Sequence, residues 1–350
     1  MGASDALAQR TRGHDGAVPR PDSRPSGAAR GGLAALRAWV DPLVVMIIAV
    51  LVLGLLVPAQ GTFADVLGVV RTCAIVLLFF LYGARMPTRE VVDGLRNWRL
   101  QGSMLGATYV LLPALGLAVQ ALPDTVLAPE LRQGVLYLSL LPSTVQSSVV
   151  FTSVARGNVA AAITGATISN VSGIVLTPVL VGLLLTATSG DLGGSPVGIL
   201  LQLLLPFVVG QVVQPWIGGW VRAHAPLTRT TDRATILLVA YTSVSQASVS
   251  GAWDHVTPSA LAVLVVVSVV VLAAVLAATW WGGRAIGLDR ADRAALLMVG
   301  STKSLATGLP MAAVLFSPVV AAGVALPVIV YHQLQLATCA VVARRVARVE

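Results

Sequence analysis

Charge is what this chain has least of. Of 350 residues only 11% are Asp, Glu, Lys or Arg, against 56% hydrophobic, and the mean hydropathy is +0.85. A soluble globular surface needs roughly a quarter of its residues charged, so the composition excludes one and gives an integral membrane protein. Lysine is nearly missing: Lys303 is the only one among 23 basic residues. The two cysteines, Cys73 and Cys339, lie inside apolar runs and read as small buried hydrophobes, not as a disulfide framework or a metal cluster. None of the 15 acidic residues falls at the middle of an apolar run, Asp41 and Asp65 at run edges being the nearest. No Gly-rich stretch has a phosphate-cradling pattern, no His, Cys and carboxylate set matches a metal or protease site, and no nucleophile and base share one depth, which argues against an enzyme.

What is present is a series of long apolar runs. A span needs about 20 apolar residues, and ten segments qualify: 38–59, 63–85, 98–122, 131–155, 158–187, 196–218, 233–251, 257–281, 291–316 and 319–342. The first run is itself long enough to span, so no cleavable signal peptide is expected. Residues 1–36, rich in Ala, Gly, Arg and Pro without apolar period, are predicted to be a disordered arm. Arginines fall in every second connection: Arg85 to Arg99, Arg156, Arg222 to Arg233, Arg284 to Arg293 and the terminal Arg344, Arg345 and Arg348. The positive-inside rule then places both termini in the cytoplasm. That distribution accounts for the net charge of +8 without nucleic acid as a partner. Two arginines stand apart, Arg132 in an outer connection and Arg71 in the second span, where snorkelling to the outer end is the expected role and ligand binding the alternative.

The fourth and ninth runs are interrupted in the same way. One carries Pro142, Ser143, Thr144, Gln146, Ser147 and Ser148; the other carries Ser301, Thr302, Lys303, Ser304, Thr307 and Pro310. Each precedes a span rich in small residues, and each is fourth in a set of five. Five is odd, so the second half enters the membrane from the opposite side, which is an inverted repeat. Non-helical backbone at membrane depth is tolerated only where protein buries it or it lines a cavity, and matching broken helices point to a transporter's central site. The plainer alternative is that these hydroxyls hold helices together.

Lys303 carries the sharpest signal, because a cation near the bilayer midplane costs roughly 2.5–3.5 kcal/mol on insertion scales. With no carboxylate at its depth, its charge must be met by hydroxyls, by carbonyl ends of half-helices, by loss of the proton or by a bound anion. Half-helix N-termini also favour anions, which makes a small organic anion the expected substrate. Asn158 is expected to cap the fifth helix as well as to face the site. His332, beside Gln333 and Gln335 in the tenth span, is a possible proton relay or a packed, hydrogen-bonded residue.

At these residues the chain resembles the bile acid:sodium symporter family, in its SBF-like bacterial branch. The matching pieces are Phe79-Phe-Leu-Tyr-Gly-Ala-Arg-Met, the run from Leu140 through Ala155-Arg-Gly-Asn to Ala162, and Gly300-Ser-Thr-Lys-Ser-Leu-Ala-Thr-Gly-Leu-Pro-Met. The resemblance implies ten spans in two inverted repeats, with spans 3–5 and 8–10 as a core moving against a panel of 1, 2, 6 and 7. It also exposes departures. The family's ninth-span glutamate falls on Ser301, its glutamine on Leu305 and its fourth-span asparagine on Val149, so the sodium site is reduced to a vestige around Ser148 and Ser301. Lys303, two residues past the missing carboxylate, is expected to put its ammonium where those relatives hold sodium.

The resulting expectation is an all-α polytopic protein with domains 1–36 (arm), 37–188 and 189–345 (five-helix repeats) and 346–350 (tail). It would sit in the cell membrane and transport an organic anion by alternating access. No cofactor is expected beyond sodium as a possible coupling ion, with proton coupling or none as alternatives. The oligomeric state stays open. A membrane receptor or regulator that binds without transporting is the competing class.

Overall fold

The computed structural model describes residues 42–86, 97–185, 196–251 and 257–348. The predicted arm and the predicted boundary at 188/189 lie outside the described residues. Every regular element among them is a helix: α1 Pro42–Leu56, α2 Gly61–Arg85, α3 Trp98–Gln120, α4a Pro129–Leu140, α4b Val145–Val154, α5 Val159–Leu184, α6 Pro196–Ala223, α7 Ala225–Val249, α8 Pro258–Ala285, α9a Arg290–Ser301, α9b Leu305–Leu315 and α10 Pro318–Arg348. The last helix runs into the predicted tail, as far as Arg348.

Local chemistry sets the boundaries. Prolines open α1, α4a, α6, α8 and α10, at the position where the missing N–H costs nothing. Side-chain caps accept the orphan N–H groups elsewhere: Asn158 Oδ1 from Ala161 at the start of α5, Asp289 Oδ1 from Asp292 at α9a and Ser304 Oγ from Thr307 at α9b.

Among the described residues six helices are long and apolar enough to cross a membrane, and the α4a/α4b pair, bent by 68°, makes a seventh. Large apolar side chains remain on the outside, including Val69, Val110, Leu183 and Trp216, a surface suited to lipid and not to water. The protein is thus a polytopic helical membrane protein. Of the ten sequence segments, those of α1, α7 and α9 fall short of this test. α1 is a short apolar helix, α7 is polar at its start, and α9 is split in two.

Two packing features position the site. α2 and α6 cross at glycines: a Cβ on Gly83 would collide with the Phe207 carbonyl, and one on Gly210 with the Phe80 carbonyl. Gln211 Nε2 straps the crossing by donating to the Gly83 carbonyl at 2.5 Å and the Met86 carbonyl at 3.2 Å. α7 packs against α1 and α2 on one side and α9b and α10 on the other. The interrupted α4 and α9 meet inside the bundle.

Candidate functional site

The site is the meeting of two interruptions. Residues 141–144 and 302–304 are both extended: Leu141 has φ −72°, ψ 154° and Thr302 φ −95°, ψ 142°. The residues that restart the helices match as well, with Thr144 at φ −84°, ψ 136° and Ser304 at φ −85°, ψ 109°. The two strands of backbone touch directly, Ser304 N–H donating to the Pro142 carbonyl at 2.9 Å. Ser143 Oγ donates to the Val299 carbonyl at 2.6 Å and lies 3.1 Å from Thr302 Oγ1.

Lys303 crosses the other way. Its side chain is 1% exposed, and Nζ donates to the carbonyls of Thr108 at 2.9 Å, Ser139 at 2.7 Å and Leu141 at 2.5 Å. Three acceptors match the three N–H groups of an ammonium. The sequence explains why each carbonyl is free. In α3 the stretch Ala107–Leu111 widens to a π-turn, so the Leu112 N–H goes back to Ala107, and the next donor that could reach the Thr108 carbonyl in that register is Pro113, which has none. Ser139 sits at the carbonyl end of α4a, where Pro142 again offers no N–H and the Ser143 N–H is diverted to Ser169 Oγ at 3.0 Å. Leu141 is extended and points its carbonyl out of the helix. Two missing proline donors and one helix C-terminus therefore make an electronegative cage for one cation.

Each interruption is held by the helix that follows it. On α5, Ser169 takes the Ser143 N–H, Asn170 Nδ2 donates to the Ser143 carbonyl at 2.5 Å and Thr177 Oγ1 to the Leu140 carbonyl at 2.8 Å. On α10, one amide serves both sides of Lys303: Gln335 Oε1 accepts its N–H at 2.7 Å and Gln335 Nε2 donates to its carbonyl at 2.8 Å. Tyr331 OH donates to the Ser301 carbonyl at 3.1 Å. His332 Nδ1 lies 3.4 Å from the Lys303 carbonyl and 2.9 Å from Gln335 Nε2.

Of the sequence-predicted residues, Ser143, Thr302, Lys303 and Ser304 come together at the crossing, with His332 alongside. Thr144 starts α4b, where Gln146 is exposed and the Ser147 hydroxyl is buried without a partner; the Thr307 hydroxyl in α9b is likewise buried and unpartnered. Asn158 is not brought to the crossing. It caps α5 and donates from Nδ2 to Asp292 Oδ1 at 2.8 Å. Sequence reasoning passed over Thr108, Ser139 and Leu141, which act through main-chain oxygens and leave no side-chain signature. It named Gln335 only as one polar residue of its span.

At the two positions expected to hold the vestige of a sodium site, Ser148 Oγ donates to the Thr144 and Val145 carbonyls and Ser301 Oγ to the Leu297 carbonyl, each within its own helix, while the carbonyls of Thr108, Ser139 and Leu141 are met by Nζ. Among the described residues no three His, Cys, Asp or Glu side chains gather as metal ligands.

Over residues 41–348 the sequence matches the SBF-like CPA transporter family. The chain belongs to that family. An uncharacterized protein of Pseudomonas aeruginosa is 43% identical over 88% of this chain and 93% of its own. The "Putative symporter YfeH" of Escherichia coli K12 is 42% identical with the same coverage, and the "Sodium/bile acid cotransporter 7" of Mus musculus is 27% identical over 75% of this chain and 78% of its own. The SBF-like chain is thus a membrane transporter by family, and the resemblance read from its motifs holds.

Proposed function

We propose that this SBF-like protein is a secondary transporter of a small organic anion that works by alternating access without sodium, the Lys303 ammonium serving as a built-in cation at the crossing. The observation that carries the reading is the set of three main-chain oxygens around Nζ, 2.5–2.9 Å away, contributed by two different helices. A cation that is part of the chain cannot leave with substrate, so it holds the crossing together in every state and cannot couple transport to a sodium gradient. His332, beside the Lys303 carbonyl, is the group through which protons would couple.

The matched backbone of the two interruptions and the matched clamps from α5 and α10 support ten spans in two inverted five-helix repeats. In this reading α3–α5 and α8–α10 move as a core against α1, α2, α6 and α7. The unpartnered hydroxyls of Ser147 and Thr307, each in the first turn of a half-helix, favour an anion beside the crossing. Both termini face the cytoplasm of a cell membrane.

The test is uptake of labelled taurocholate into proteoliposomes under equal inward sodium and potassium gradients at pH 6 and pH 8. Equal uptake in the two salts is expected, and a rate that follows the pH gradient would assign coupling to protons. Uptake that requires sodium would overturn the built-in cation.

A further inference from the structure

The reading above leaves the substrate's charge without a counter-ion, because the three N–H groups of Lys303 are all taken by carbonyls. A second cation within an apolar helix is Arg71. It is the eleventh residue of α2, about 15 Å along from the helix start at roughly 1.5 Å per residue, so it lies well inside the span and not at its end. It is half-buried, and no hydrogen bond or ion pair joins it to another group among the described residues. A guanidinium cannot shed its charge as an amine can, so at this depth it calls for an acceptor.

Arg71 faces a small half-open pocket. Ala64, Leu67 and Gly68 share its stripe on α2, at one- and two-turn spacing, while Thr242, Ser245 and Gln246 share one face of α7 opposite. Lipid-facing Val66, Val69 and Val70 lie on the other sides of α2. The polar groups differ in how far they are committed. Ser245 Oγ is bound to the Ala59 N–H, and Thr242 Oγ1 donates to its own helix at 2.9 Å. Gln246 Oε1 is buried with no partner at all. Gly68 leaves open space, since a Cβ there would meet nothing within 4 Å. A permanent cation with no counter-ion beside open space leaves a site that an anion completes, and the Gln246 oxygen in the same lining is an acceptor free to orient the guanidinium. α7 also packs against α9b and α10, so the pocket lies on a helix that touches the crossing's own elements.

We infer that Arg71, oriented by Gln246, forms a binding site for the carboxylate or sulfonate head of an organic anion, with the ligand's apolar body left outside the pocket. The inference rests on the transporter reading for its role, but not for its existence. An oxyanion accepts two parallel N–H bonds from the guanidinium fork, which a lysine cannot supply. With the anion bound, the unpartnered Gln246 oxygen would take a further N–H of Arg71 and fix the fork's direction.

The test uses the full-length protein in nanodiscs, with binding of taurocholate and of benzoate read by thermal shift and counterflow of the same anions read in proteoliposomes. Three variants report on the site: Arg71→Gln removes the cation, Arg71→Lys keeps charge but not the fork, and Gly68→Leu fills the space while keeping the guanidinium. At least one anion is expected to stabilise the unmodified protein. Its affinity should fall tenfold or more in Arg71→Gln and in Gly68→Leu and less in Arg71→Lys, with the ligand-free melting temperature of Gly68→Leu unchanged. An unchanged affinity in Arg71→Gln, or no response to either anion in the unmodified protein, overturns the site. Binding that needs Arg71 but gives no counterflow sinks the transport reading and leaves the site standing. Counterflow of Arg71→Gln with an unchanged KM does the reverse.

Discussion

Ser143 and Lys303 reach across the crossing to reciprocal positions. Lys303 Nζ takes the carbonyl of Ser139, four residues before Ser143, and Ser143 Oγ takes the carbonyl of Val299, four residues before Lys303. Each side chain supplies the donor that the other helix loses when it breaks. The longer reach of lysine lets it collect the Leu141 and Thr108 carbonyls as well, which binds α3 into the same junction.

Removing the ammonium should therefore cost more than one contact. In Lys303→Met three buried carbonyls lose their donor, and each stranded acceptor costs about 1–3 kcal/mol. A large drop in melting temperature in detergent, together with loss of uptake, is expected. Lys303→Arg should not restore either, because a planar fork cannot point donors at three oxygens set around one atom. Full stability and uptake in Lys303→Met would refute the cation role.

Gln335 should behave as a positioning residue for Lys303. Gln335→Leu keeps the volume but leaves both the N–H and the carbonyl of Lys303 short of the amide, at about 1–3 kcal/mol for a buried group that loses its partner. Loss of uptake with a lowered melting temperature is expected, and a melting curve that does not move would place the clamp elsewhere.

Pro113 offers a test of how the cage is made. Pro113→Ala supplies the N–H that the π-turn of α3 lacks, and that N–H competes with Nζ for the Thr108 carbonyl. Uptake should fall while the helix itself gains a hydrogen bond, so melting temperature is expected to hold or rise. Parallel losses of both would mean that Pro113 only packs.

The α2–α6 crossing should reject a single methyl. Gly83→Ala and Gly210→Ala each drive a Cβ into a facing backbone carbonyl, with overpacking costs of about 1–3 kcal/mol. Gly102→Ala, where a Cβ meets nothing, is the control and should leave the melting temperature unchanged. Equal melting of all three would show that the two helices can move apart freely.

The sequence by itself determined the membrane class and the places where α4 and α9 break, and it singled out Lys303. These follow from composition, from proline and hydroxyl clusters inside apolar runs and from the single lysine, all properties of local stretches. Family membership was legible for the same reason, since its motifs are contiguous. The segments of α1, α7 and α9 are apolar enough along the sequence but do not pass as single long helices among the described residues, because a hydropathy window averages over a break, a short helix or a polar first turn.

Tertiary structure alone decided what surrounds Nζ. The cage is built from main-chain oxygens of Thr108, Ser139 and Leu141, and every residue has a carbonyl, so no side-chain pattern marks the ones left free. Their freedom depends on helix register: a π-turn one residue wide in α3 and an extended Leu141 in α4 turn prolines into missing donors. Likewise, whether Arg71 lies open to lipid or faces Gln246 across a pocket depends on how α2 and α7 are rotated against each other. That rotation is set by long-range packing, which a single chain's periodicity does not contain.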